Sequence, residues 1–275
     1  MRHEAHTAQL LAQKDNTRNE LERYAQVTCY QLCAKMLEAC PREIRDYIYA
    51  YLLPDSPVIL QHCDHHDYCG CEFCAQGSDI LEKFAQPPCH LRNAAYVTSE
   101  FSSELLEAFY RTNTFDLGHH FASLGAFRTM KAGNLGIIPV NYILNLSMLV
   151  QCEEYDFEGA VAFRDTYDDY PVKSRRTLLG DLEALFGFKS GTKITLHLDV
   201  KRGGLSGDQG AEHWEHDTVV PVILPTMRRL AAAGTKVKLR FDYSWCEVVI
   251  DNEDVTLEDI KEQYEKVRRY WGDAV

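Results

Sequence analysis

Two short segments in the C-terminal half of the chain alternate apolar and polar residues with a period of two. They run from Lys193 to Val200 (KITLHLDV) and from Lys236 to Tyr243 (KVKLRFDY). Such alternation is typical of β-strands with one buried face. A helical pattern precedes each segment, at 178–186 and at 219–233. Helices that alternate with strands favour α/β units with parallel strands, and the apolar run at 140–151 predicts one more strand before them.

The first 60 residues instead show helical patterns. Thr17 and Glu20 have the spacing of a capping box, which predicts a helix from Leu21 to Cys40. Pro41 interrupts that pattern and can begin a second helix, PREIRDYIYAYLL. Pro54 ends this second helix.

These patterns predict an α+β or α/β protein in three parts. Residues 1–60 form an N-terminal helical module, residues 61–78 a loop rich in Cys and His, and residues 79–275 an α/β domain. The helix–strand units of the last part are expected to form a curved, mostly parallel sheet. The units have unequal lengths, so the predicted array is irregular and leucine-rich-repeat-like.

The loop HCDHHDYCGCEFC concentrates side chains that bind metal ions. Zinc prefers four ligands at tetrahedral corners, and thiolates and imidazoles supply them. Cys71 and Cys74 form a C-x-x-C pair, which predicts a structural zinc site. The preferred further ligands are Cys63, His66 and Cys69. The alternatives to them are His65, Cys89 and His90. Two alternatives remain open, a loop of free thiols and a catalytic zinc site with an open ligand position.

The charge balance restricts the partners of the chain. Its 275 residues carry 29 Lys and Arg against 41 Asp and Glu, a formal net charge of −12. Such a protein repels phosphate backbones, so no nucleic-acid partner is expected. No apolar run reaches the roughly 18–20 residues that span a bilayer, and the N-terminus lacks the apolar core of a signal peptide. We therefore expect an intracellular protein, cytoplasmic or nuclear, without a membrane partner.

Two motifs resemble those of a large group of fungal F-box-like proteins known by an E-x-R motif. PREIRDYIYAYLL is similar to the opening of that group, with Glu43-Ile44-Arg45 as the motif itself. The segment HLRNAAYVTSEFSSELLEAFYRTNTF is similar to a second motif, which follows a polar insertion of variable length. The matching positions of the second motif are Leu91, Arg92, Glu104, Phe109, Tyr110, Asn113 and Phe115.

The resemblance implies that residues 1–60 are an F-box-like module. The helix that begins near Pro41 would then bind Skp1, the adaptor of a cullin ubiquitin ligase, through apolar residues on one face. Its predicted contacts are Pro41, Ile44, Ile48 and Leu52. In the alternative, these residues pack as core against the preceding helix and against the segment FYRTNTF. The predicted function is that of a non-enzymatic protein-interaction protein, a Skp1-binding substrate adaptor with a structural zinc loop. The alternative is a zinc-dependent hydrolase that uses the Cys/His-rich loop.

Overall fold

A computed structural model of the chain describes most of the predicted elements. The described residues are 2–53, 58–59, 91–118, 124–125, 128–129, 131, 135–157, 173–199, 215–241, 246–252 and 254–272. The Cys/His-rich loop at 61–78 lies outside these ranges, as does most of a helix that the sequence pattern predicts at 119–131.

The chain divides into two compact units. The first comprises Met1–Asp55, Gln86–Phe109 and Gly133–Ile137, and the second comprises Ser56–Ala85, Tyr110–Ala132 and Ile138–Val275. The predicted domain boundaries near 60 and 79 fall outside the described residues, so they stay predictions.

The first unit is built from helices. Helix α1 spans Arg2–Ala39, α2 spans Arg42–Leu52, and α3, Ser99–Thr112, begins in this unit. Pro41 separates α1 from α2 because it lies in an extended conformation, with φ −56° and ψ 155°. Its carbonyl oxygen accepts hydrogen bonds from the backbone N–H groups of Ile44 and Arg45. Pro41 is therefore the residue before the helix and not its first residue, whereas the predicted end of α2 is confirmed.

The predicted start of the first helix is wrong. Helix α1 begins at Arg2 and passes through Thr17 without interruption. The hydroxyl of Thr17 does not cap a helix but donates a hydrogen bond to the carbonyl oxygen of Gln13, one turn earlier, at 2.9 Å. Among the side chains of α1 that the structure describes, only Cys33 is buried. This helix therefore owes little of its stability to burial of an apolar face.

The second unit contains a six-stranded sheet. Its strands are β1 (Val58–Ile59), β2 (Thr114–Asp116), β3 (Asn145–Gln151), β4 (Lys193–Asp199), β5 (Lys236–Phe241) and β6 (Cys246–Ile250). Its helices are α4 (Arg175–Glu183), α5 (Val220–Ala232) and α6 (Leu257–Gly272). The strand predicted at 140–151 begins later, at Asn145, because Pro139–Asn141 forms a 3₁₀ turn.

The six strands lie side by side in the order in which the chain forms them. The pairs from β1 to β5 are all parallel, and β6 joins β5 antiparallel. The predicted fold class, N-terminal helices followed by helix–strand units with a mostly parallel sheet, is confirmed. A sequential strand order is also what a repeat-like array requires.

One face of the sheet packs against the helices. Helix α5 contacts β5 and both neighbouring helices, α4 and α6, so the three helices lie on the same side. The rings of Phe241 on β5 and Tyr264 on α6 meet edge to face, with centroids 5.4 Å apart. Fully buried apolar residues alternate along the central strands on this side, and they include Met148, Ile194, Leu196, Leu198, Val237 and Leu239. This period of two is the pattern that the sequence shows.

Two more local signals in the sequence concern helix ends: Gly234 is expected to stop the helix at 219–233, and Thr256 and Asp259 have the spacing of a capping box. Gly234 follows α5 with a φ of +88°, a conformation that costs other residues energy. At the start of α6, the carboxylate of Asp259 accepts hydrogen bonds from the backbone N–H and the hydroxyl of Thr256. In return, the N–H of Asp259 donates to the Thr256 hydroxyl at 3.1 Å. This reciprocal pair is the predicted capping box.

Candidate partner-binding surface

Helix α2 directs Arg45 and Tyr49 toward the interior of the first unit. The guanidinium of Arg45 donates two hydrogen bonds to the carboxylate of Glu104 on α3, at 2.8 Å from Nε and 2.5 Å from Nη2. The phenol of Tyr49, one turn further along α2, donates to the same carboxylate at 2.8 Å. The side chains of Arg45 and Glu104 are only 12% and 10% exposed, and Tyr49 is fully buried.

The same arginine also binds the end of α1. Its Nη1 donates to the carbonyl oxygen of Cys40 at 2.6 Å and to that of Leu37 at 3.3 Å. The last carbonyls of a helix lack partners within the helix, so a cationic donor at that position is favourable. Arg45 therefore links α1, α2 and α3 through one side chain.

Arg42 adds a second cation to this arrangement. Its guanidinium lies 3.2 Å from Glu104 and 3.0 Å from Glu107, both on α3, and it donates to Asp46 within α2 at 2.9 Å. We call the five residues that join α2 to α3 the Arg45 cluster; they are Arg42, Arg45, Tyr49, Glu104 and Glu107. With Asp46, three carboxylates contact the two guanidinium groups, so both positive charges are compensated.

The hydrogen bonds of the cluster shift the titration of its members. Burial tends to raise the pKa of Glu104, but the hydrogen bonds from Arg45 and Tyr49 outweigh it and hold that pKa below its ordinary value. Burial, together with the hydrogen bond to Glu104, raises the pKa of the Tyr49 phenol. Glu104 is therefore charged and Tyr49 neutral at neutral pH.

The opposite face of α2 is apolar and exposed. At 100° per residue, Ile44, Tyr47 and Tyr51 lie on the side of α2 opposite the Arg45 cluster. Ile48 and Leu52 continue this apolar sector along its edge, between those three residues and Arg45. Tyr47 is 71% exposed and Tyr51 is 91% exposed. Ile44 and Leu52 are 48% and 42% exposed, and Ile48 is half-buried. We call these five residues the apolar stripe of α2.

A helix of a monomeric globular protein usually has the reverse orientation, with its apolar side inward. Here the buried side is held by ions and hydrogen bonds, while large apolar side chains meet solvent. A contiguous exposed apolar patch with a polar surround is typical of a protein-interaction surface. The alternative that the stripe is core does not hold for Ile44 and Leu52, because both are exposed.

The predicted site residues have different outcomes. Pro41, Ile44 and Leu52 are exposed and Ile48 is half-buried, so partner binding stays a prediction that their positions permit. The predicted zinc ligands lie outside the described residues. Among the residues that are described, no three Cys, His, Asp or Glu side chains are grouped closely enough to hold a metal ion.

Sequence reasoning missed the pairing of the two motifs. Arg45 belongs to the E-x-R motif and Glu104 to the second motif, 59 residues later, and the structure brings them into a two-point ion pair. It also missed Tyr47 and Tyr51 as the most exposed members of the apolar stripe. The opposite charges of Arg45 and Glu104 were the one signal of this contact in the sequence.

We compared the chain with protein-family models, with curated proteins and with solved structures, and none of them matches it. The F-box-like resemblance of its two motifs therefore stays a prediction. In the part of the chain that the structure describes, no helix has both the length and the apolar character needed to cross a membrane.

Proposed function

We propose that the chain is a non-enzymatic protein-interaction protein and that helix α2 docks on Skp1 through its apolar stripe. The observation that carries the proposal is the orientation of α2, with its ion pairs buried and its apolar residues exposed. The F-box-like resemblance of the surrounding motif supplies the identity of the partner.

The spacing of the stripe supports this mode of recognition. Ile44, Ile48 and Leu52 follow one another at intervals of four residues, as anchors of a helix that lies in an apolar groove do. Tyr47 and Tyr51 add aromatic surface, which is enriched among the residues that dominate binding energy. The Arg45 cluster fixes α2 on α3, so the stripe is already ordered before a partner arrives. A preordered helix loses less conformational entropy on binding.

The proposal is tested by titrating recombinant Skp1 into the purified full-length chain in an isothermal titration calorimeter. The informative variant is Ile44→Asp. Ile44 is the third residue of α2, where a negative charge favours the helix dipole, so the variant is expected to fold. An unpaired carboxylate buried in an apolar interface weakens binding, and we expect the Kd to rise at least about thirtyfold.

Leu135→Asp is the matched control. Leu135 is another exposed apolar residue, 38% exposed and outside α2, and its replacement adds the same charge. We expect it to bind as the wild type does. Absence of binding by the folded wild type would refute the Skp1 proposal, and equal losses in both variants would show that the stripe is not the contact surface.

A further inference from the structure

Helix α1 exposes a row of leucines along much of its length. Leu10, Leu21 and Leu32 follow one another at intervals of eleven residues. Eleven residues make three turns plus about 20°, so the three side chains form a nearly straight row. They are 52%, 64% and 66% exposed. Tyr24 is 72% exposed and lies beside the row, about 60° around the helix from Leu21. We call these four residues the apolar row of α1.

The apolar row is not the side by which α1 contacts its own unit. Among the side chains of α1 that the structure describes, only Cys33 is buried. It lies about 180° around the helix from Tyr24 and about 100–140° from the three leucines. Glu22, within about 20° of Cys33, accepts a hydrogen bond from the phenol of Tyr96 at 3.1 Å. The side of α1 that carries Cys33 and Glu22 therefore faces the unit.

The length of the row limits what can cover it. Helix α1 has 38 residues and is about 57 Å long, and Leu10 lies about 33 Å along the axis from Leu32. Most of the stability of a helix in a protein comes from packing of an apolar face, and this face is open. A suitable occupant is itself elongated and apolar over the same distance. A second copy of α1 has these properties.

The spacing of the leucines is symmetric. Leu21 lies midway between Leu10 and Leu32, so two antiparallel copies can share a two-fold axis at Leu21. Leu21 then meets its own copy, and Leu10 meets Leu32 at both ends. The contacts of a two-fold dimer must be self-complementary in this way. A repeat of eleven residues also keeps one face of a helix toward a partner helix with only a slight right-handed twist.

The charges near the row favour the antiparallel order. Lys14 and Lys35 are exposed and lie within about 60° of the leucines. In a parallel pair, each lysine would lie directly beside its own copy. In the antiparallel pair, the two copies of Lys14 lie about 21 Å apart along the axis and those of Lys35 about 42 Å apart. Both separations exceed the Debye length of about 10 Å at 0.1 M salt. Glu20 comes near its own copy, but it is exposed at the edge of the contact, where charge interactions contribute little.

We propose that two copies of the chain form a dimer through the apolar row of α1, with the two helices antiparallel. Between the leucines this face carries Thr17, Ala25 and Thr28, whose short side chains let the two helices approach closely. The inference goes beyond the docking of α2. It does not depend on whether Skp1 binds, because the two surfaces are on different helices.

The test is sedimentation equilibrium of the full-length chain in reducing buffer, which measures the Kd of the dimer. Leu21→Glu places two carboxylates opposite each other at the axis, so the Kd should rise at least about thirtyfold. Leu10→Glu should raise it at least about tenfold. Leu11→Glu is the matched control, because Leu11 is 55% exposed but points about 100° away from Leu10. Its Kd should stay within about threefold of the wild-type value.

A charge exchange tests the direction of the helices. In the variant with Leu10→Glu and Leu32→Lys, the antiparallel order sets each new carboxylate beside a new ammonium group. Its dimer should be at least about fivefold tighter than that of Leu10→Glu alone. A parallel pair would instead set like charges together, and its dimer would be weaker than that of the single variant.

Further measurements exclude misfolding and contact through α2. Glu is a good helix former, so each variant should keep the far-UV circular dichroism spectrum of the wild type. Ile44→Asp, which changes the apolar stripe of α2, should leave the Kd of the dimer unchanged. A monomeric wild type, equal effects of Leu10→Glu and Leu11→Glu, no recovery in the charge-exchange variant, or loss of the dimer in Ile44→Asp alone would each refute the proposal.

Discussion

Replacing Glu104 with Gln is the most direct test of the Arg45 cluster. The substitution keeps the shape of the side chain but removes the charge that balances Arg45 and Arg42. Three hydrogen bonds end on this carboxylate, two from Arg45 and one from Tyr49. Both members of the central ion pair are nearly buried, so the arginine left behind has little access to water.

The expected loss follows from that burial. Breaking a buried ion pair by removing one partner costs roughly 3–5 kcal/mol, and the amide of Gln can still accept from Arg45, so we take the lower value, about 3 kcal/mol. For a compact unit of fewer than 100 residues, each kcal/mol shifts the Tm by roughly 4–8 °C. We therefore expect the helices of the first unit to melt at least about 10 °C earlier in Glu104→Gln.

The assay separates the two units. Far-UV circular dichroism follows the helices of both units, whereas all three tryptophans fall within the sequence range of the second unit. A dichroism transition that the tryptophan signal does not share therefore reports the first unit. The dichroism transition should shift in Glu104→Gln, and the tryptophan transition should change less. Glu183→Gln is the matched control, because it removes a carboxylate whose pair with Arg229 is 43% and 60% exposed. Such a surface pair contributes less than about 1 kcal/mol.

A shift in Glu104→Gln no larger than in the control would refute this account of the cluster. A double variant adds a second check. Replacing Arg45→Met together with Glu104→Met removes both charges, and buried pairs replaced in this way often lose little stability. The double variant should therefore melt later than Glu104→Gln alone.

Three further predictions concern separate parts of the chain. The pKa of Glu104 is lowered in the folded state. Its contribution to stability is therefore present above the ordinary glutamate pKa and is lost as the pH falls through the folded pKa. The wild-type Tm should fall more steeply in acid than that of Glu104→Gln, and parallel pH profiles would contradict this. Gly234→Ala should lower the Tm of the second unit, because an alanine at positive φ costs about 1–2 kcal/mol and its Cβ would collide with the Ser190 side chain. An unchanged melting curve would argue against this role of Gly234. Replacing Cys71→Ser with Cys74→Ser should release zinc, measured by atomic absorption, and lower the Tm if the sequence-predicted site is structural; metal-free wild-type protein would refute that site.

The central strands could be predicted because burial on one face forces a visible pattern. In β4 and β5 buried positions alternate with more exposed ones, so apolar and polar residues alternate along both strands. The same reasoning fails for β1 and β2, which are two and three residues long and too short to show a period. It also missed β6, which joins the sheet antiparallel through a short connection.

The start of α1 was missed for a different reason. The search relied on an amphipathic pattern and a cap, but most of this helix is exposed and needs neither. Its sequence contains no Gly or Pro before Pro41 and is rich in good helix formers. Intrinsic propensity was therefore the better signal in this segment.

The candidate surface could be predicted in part. Ile44, Ile48 and Leu52 were placed on one helix face by their spacing alone. Spacing alone does not show whether that face is buried. Its burial depends on which side of α2 packs against the other helices of the unit. In this chain it depends on Glu104, which is 59 residues from Arg45. A contact at that separation leaves no local pattern in the sequence.

The sequential order of the strands has a consequence for synthesis. Every described strand after the first pairs with the strand that immediately precedes it in the chain. A ribosome releases the chain from its N-terminus, so each new strand emerges when its neighbour is already available. The sheet can then assemble one strand at a time without waiting for the C-terminus. No described strand has to insert later between two strands that are already paired.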